Sequence, residues 1–172
     1  MKIIDLSIPI YTGMESYPDD PEVSLEIVHD YKNKPWMLRR IVIGSHTGTH
    51  VDAFSHMDPH GETLDGIPLK NFCGEACLIN GDKSLPVRIG LLFRCAIDIS
   101  WLRKILSAEP PFVGGDISED LQRALLKAGI VTYTNLVNLE LLPERKSFMF
   151  YGLPLKIRDG DGSPVRAVAI VE

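Results

Sequence analysis

The sequence predicts a sheet-dominated α/β fold with few helices, and three observations lead to it. Seven segments of strand length, KIIDLSIPI, VSLEIVH, MLRRIVIGS, GEACLIN, RIGLLFRCAI, SFMFYGL and VRAVAIV, are rich in Ile, Val, Leu and Phe. Gly, Pro or Asp stands between most of them, as turns require. Only two segments have helical character: Trp101 to Ser107, after a cap at Ser100, and Glu119 to Ala128, after a cap at Ser118. In the second, Leu121, Ala124, Leu125 and Ala128 follow the i, i+3, i+4, i+7 spacing of a buried stripe, and Gly129 stands where a C-terminal glycine cap belongs.

The 172 residues, 45% hydrophobic and 24% charged, suit one globular domain over residues 1–172. Eighteen basic and 23 acidic residues give a formal charge of −5, without the basic clusters that a nucleic acid backbone requires. A small-molecule substrate is the expected partner. The apolar runs are too short to span a membrane, and the opening MKIIDLSIPI lacks a small-residue cleavage site, so a cytoplasmic location is expected. Cys73, Cys77 and Cys95, an odd number in apolar surroundings, are expected as reduced thiols packed in the core. Many strands in so short a chain, with an apolar terminus such as VRAVAIV, call for edge protection by a second copy of the chain.

Four of the five histidines, His46, His50, His56 and His60, fall in the stretch HTGTHVDAFSHMDPH. Gly48 and the β-branched Thr47, Thr49 and Val51 disfavour a helix over residues 45–52, so an extended segment is expected. In an extended chain His46, Gly48, His50 and Asp52 share one face. Two imidazoles and a carboxylate then line that face, with Gly48 leaving room between the imidazoles. This donor set suits zinc, manganese or ferrous iron better than calcium or magnesium, which prefer all-oxygen shells. His56 has the same parity but follows a bend at Phe54 and Ser55, and the role of a nearby base suits it as well as that of a ligand.

HTGTHVDAFSH resembles the His-x-Gly-Thr-His-x-Asp-x-Pro-x-His signature of the cyclase family of metal-dependent hydrolases, the group of kynurenine formamidase and isatin hydrolase. The stretches GETLDGIPLKNFCGEACLI and NLVNLELLPERKSFMFYGLPLKIRDGDGSPVRAVAI are similar to later parts of that family. The resemblance implies a swivelling β/β/α fold, a dimer or tetramer, and a divalent metal, Zn or Mn, held by His46, His50 and Asp52. It assigns His56 as catalytic base or as a ligand to a second metal, and hydrolysis of a small amide or lactone, N-formylkynurenine foremost, as the reaction.

Phe54 replaces the signature proline. Gln122 stands at the position of a family histidine and Thr134 at that of a family glutamate, both of which help bind metal. Glutamine and threonine are weak ligands for such ions, so a single-metal site is expected in place of two. The region between Asp98 and Gly114 reads as shortened, while Asp116, Glu119 and Asp120 are candidates for a replacement carboxylate. The alternative is a divergent, non-catalytic member that binds a metal or a small molecule.

Overall fold

The computed structural model describes residues 1–81, 84–144 and 146–172. Among the described residues nine strands form one mixed sheet. From one edge it runs β1 (Lys2–Asp5), β11 (Val168–Val171), β9 (Ser147–Tyr151), β5 (Cys73–Ile79) and β6 (Gly90–Phe93). It continues through β7 (Phe112–Gly114), β8 (Val131–Thr134) and β4 (His50–Asp52) to β10 (Gly162–Pro164) at the other edge. The strands β5, β6, β7 and β8 are parallel neighbours, and the other pairings are antiparallel. Two helices supply the crossovers: α1 (Leu102–Ala108) joins β6 to β7, and α2 (Glu119–Lys127) joins β7 to β8. This is the swivelling, sheet-dominated β/β/α arrangement that the sequence implies.

Parallel strands with helices on one side are buried on both faces. Leu91, Phe93 and Val113 face the helices with Ile105, Leu121 and Leu125, whereas Leu92, Phe112, Tyr133 and Phe150 pack on the opposite face. The Tyr133 hydroxyl, fully buried, lies 2.9 Å from the carbonyl of Gly152 and 3.2 Å from that of Phe72, fixing β8 at its neighbours' ends. On α2 the Ser118 hydroxyl caps the first turn, and the buried stripe comprises Leu121, Gln122, Leu125 and Leu126. It is rotated from the expected one, leaving Ala128 exposed and turning Gln122 inward.

Several expectations are corrected. Residues 45–52 are not one extended run: only His50–Asp52 is strand, residues 45 and 46 form a turn, and Gly48 has φ +65°. A side chain at Gly48 would be strained in that left-handed conformation. The short strands β7, β8 and β10 lie outside the seven expected segments, being three or four residues long and held by neighbours on the sheet. The apolar Val168–Val171 is paired on both sides, so the sheet's edges are β1 and β10 instead. The cap before α1 is Asp98, whose carboxylate accepts from Ser100 N, with a 3₁₀ turn over Ile99–Trp101. Cys95 is exposed because it follows the end of β6, while Cys73 and Cys77 are half-buried.

Apart from the main sheet, β2 (Ser24–His29) and β3 (Leu38–Val42) form a two-stranded antiparallel hairpin. Every residue of β3 is exposed, and Ile27, Trp36, Leu38 and Ile41 present apolar surface there. No helix among the described residues is long and apolar enough to cross a membrane.

Candidate metal centre

The site forms where three strands and one helix meet. In the register of the sheet Asp52 lies opposite Thr132 on β8 and opposite Gly162 on β10, while His50 lies opposite Thr134. Asp52 is fully buried, and a carboxylate in that position must find hydrogen-bond donors. It finds them on both oxygens. Oδ2 accepts from Gln122 Nε2 at 2.6 Å and from the Thr132 hydroxyl at 2.7 Å. Oδ1 faces the imidazoles, with His46 Nδ1 at 2.9 Å and His50 Nε2 at 3.4 Å.

The far nitrogen of each of these two rings is anchored. His50 Nδ1 donates to the Gly48 carbonyl at 2.7 Å, and that carbonyl also accepts from Asn135 Nδ2 at 3.0 Å. His46 Nε2 lies 2.9 Å from Asp161 Oδ2. The left-handed turn at Gly48, not strand parity, brings His46 back to Asp52. Thr49 holds that turn in place, its hydroxyl donating to the Asn135 carbonyl at 2.6 Å and accepting from Ile8 N at 3.0 Å. The Thr134 hydroxyl lies 2.8 Å from His50 Nε2.

His56 sits on the 3₁₀ turn Phe54–His56, which supplies the expected bend. Its ring stacks on His46 with centroids 3.9 Å apart, and its Nδ1 is 3.8 Å from Asp161. One donor atom each from His46, Asp52 and His56 lies within 4.8 Å of the others. His60 is exposed and points to no role here.

Charges follow from the contacts. Burial would raise the Asp52 pKa, yet the hydrogen bonds of His46, His50 and Thr132 outweigh it and hold the carboxyl far below the ordinary range. For His46, burial favours the neutral ring, but its bonds to Asp52 and Asp161 prevail and raise its pKa. Burial and the neighbouring His46 both lower that of His56. At Asp161 burial acts upward, and the hydrogen bonds of His46 and Ser45 bring the pKa below its usual value.

The donor set fits a divalent transition ion: imidazole nitrogens beside a carboxylate oxygen, with the remote nitrogens held by acceptors, is the outer arrangement that orients metal-binding histidines. It does not fit two ions bridged by Asp52, because Oδ2 is occupied by two buried donors. Gln122 and Thr134, at the positions of the expected family ligands, thus act as hydrogen-bond partners of Asp52 and His50. Of the candidate replacement carboxylates, Glu119 pairs with Arg123 on its own helix at 2.8 Å, Asp120 is exposed, and Asp116 lines a neighbouring pocket. Asp161, which the histidine motif does not include, completes the site. Its signal was the acidic, glycine-rich run DGDG between apolar segments.

Residues 4–103 match the family model described as putative cyclase. The kynurenine formamidase of Salinibacter ruber (strain DSM 13855 / M31) is 30% identical to the chain over a gapped alignment of 216 positions, covering 98% of this chain and 97% of its own. That of Paracidovorax citrulli (strain AAC00-1) is 26% identical, covering 95% and 94%. Among solved structures, isatin hydrolase A from Labrenzia aggregata superposes with a TM-score of 0.83 at 21% identity, covering 99% of this chain and 93% of its own. The chain therefore belongs to the putative cyclase family.

Replacing Gln122 with leucine removes one donor from a buried carboxylate without leaving a large cavity. Metal-free Gln122→Leu is expected to lose about 1.5–3 kcal/mol of stability in urea unfolding, the usual size for a hydrogen bond to a charged group. An unchanged midpoint would show that Gln122 does not support Asp52.

Proposed function

We propose that the protein is a hydrolase of a small amide or lactone that uses one divalent ion, zinc or manganese, held by His46, His50 and Asp52. The observation that carries this reading is the facing of His46 Nδ1 and His50 Nε2 onto Asp52 Oδ1, each ring braced behind by an oxygen acceptor. The names of the relatives support the class, since they are called kynurenine formamidase and isatin hydrolase. N-formylkynurenine is accordingly the first substrate to try.

When bound, the ion polarises the substrate carbonyl and lowers the pKa of water. The chain supplies the rest. Asp52 and the two imidazoles orient the ion, and Gln122 and Thr132 keep the carboxylate from turning. His56, with no ion-pair partner nearer than 3.8 Å among the described residues, is the base that takes a proton from the attacking water and returns it to the leaving group. A pocket of about 290 Å³, lined by Asp116, Thr134, Asn135 and Leu136, reaches the site through Thr134, whose hydroxyl lies 2.8 Å from His50 Nε2, and is the room we assign to the substrate. It lies at the carboxyl ends of parallel strands, where open α/β sheets bind ligands.

We also infer a homo-oligomer, a dimer or tetramer. A hairpin of two strands is marginally stable alone in water, and β2–β3 presents Ile27, Trp36 and Ile41 on its exposed surface. Light scattering at micromolar concentration should give a multiple of the 19.2 kDa chain mass, and a monomer would contradict the inference.

Purified protein should bind about one transition ion per chain and hydrolyse N-formylkynurenine or a related small amide or lactone, with activity lost on chelation. His50→Ala should lose both ion and turnover. His56→Ala should retain the ion and lose on the order of 10² to 10⁴ in rate. Loss of the ion in His56→Ala would make that residue a ligand instead of the base. A stoichiometric ion without turnover of any formamide, lactone or cyclic amide would favour the non-catalytic binding protein.

A further inference from the structure

The carboxylate of Asp161 and the bare Cα of Gly162 both lie against the His46 ring, the first at Nε2 and the second beside Cε1 and Nδ1. A Cβ at Gly162 would stand 2.4 Å from His46 Cε1 and 2.9 Å from its Nδ1, so the imidazole lies directly on this backbone. The backbone itself is fixed, since the Asp161 carbonyl accepts from Ala53 N at 2.9 Å and Gly162 pairs with Asp52 across the sheet. Asp161 Oδ2 reaches His46 Nε2 at 2.9 Å. The other nitrogen, Nδ1, is the one beside Asp52 Oδ1.

We propose that Asp161 is a positioning residue that accepts the Nε2–H of His46 as a hydrogen bond and thereby commits Nδ1 to the ion, with Gly162 leaving room for the ring. This rests on the metal reading of the site. Asp161 acts through His46 and is not itself a ligand: its Oδ2 sits on the Nε2 edge of the ring, while Asp52 Oδ1 lies on the Nδ1 edge. A neutral imidazole carries one N–H, so an acceptor fixed at one nitrogen leaves the lone pair on the other. Acceptors in this role are worth about 10–100-fold in metal affinity.

The test uses the zinc-loaded full-length protein. Side-chain ¹⁵N NMR should show His46 with a protonated Nε2 and a zinc-bound Nδ1. In chelator competition Asp161→Ala should bind zinc about 10–100-fold more weakly, and Asp161→Asn, which keeps an acceptor oxygen, should recover most of that loss. Asp159→Asn, which removes a neighbouring charge outside the site, should bind like the wild type. A zinc-bound Nε2 in the wild type would overturn the proposal whether or not the variants fold. So would an Asp161→Ala affinity within about twofold of the wild type, and so would equal losses in the alanine and asparagine variants, which would make Asp161 a ligand. Wild-type protein that binds no zinc would remove the metal reading and this proposal together, whereas zinc bound with any of the other contrary results would remove only this one.

Discussion

The carboxylate of Asp52, fully withdrawn from water, is the group around which this end of the molecule is arranged. An ionised carboxyl there is tolerable only if donors surround it, and the fold brings four side chains to it: His46, His50, Gln122 and Thr132. They come from a turn, a strand, a helix and a second strand. The helix α2 must therefore present a glutamine on its otherwise apolar face, and β8 must place threonines at 132 and 134 on the side away from Tyr133.

The division of labour on that carboxylate has chemical consequences. One oxygen is given over to neutral donors and is held still; the other faces basic nitrogens. Such an arrangement leaves one side of the carboxylate open to an ion, as the proposed single-ion site requires.

Much of this was legible in the sequence. The gathering of His46, His50 and Asp52, the bend that carries His56, the sheet-dominated architecture and the second helix with its Ser118 cap could all be read from residue type and spacing. Strand parity does not produce the convergence, because a glycine that permits extended structure also permits the left-handed turn that Gly48 adopts. The strands β7, β8 and β10 were hidden by length: three or four residues carry too little pattern, and neighbours define them. Asp161 was hidden by distance, 115 positions from His46, and only the pairing of β10 with β4 joins the two. Gln122 stands out in the sequence as a departure from a motif, but its hold on Asp52 depends on which way α2 turns.

The central claim is that one ion is held on the Oδ1 side of Asp52, and anomalous diffraction from zinc-soaked crystals tests it most directly. The account predicts a single anomalous peak per chain at bonding distance, about 2.0–2.2 Å, from His46 Nδ1, His50 Nε2 and Asp52 Oδ1. A peak on the Gln122 and Thr132 side of the carboxylate, or two peaks bridged by Asp52, would contradict it.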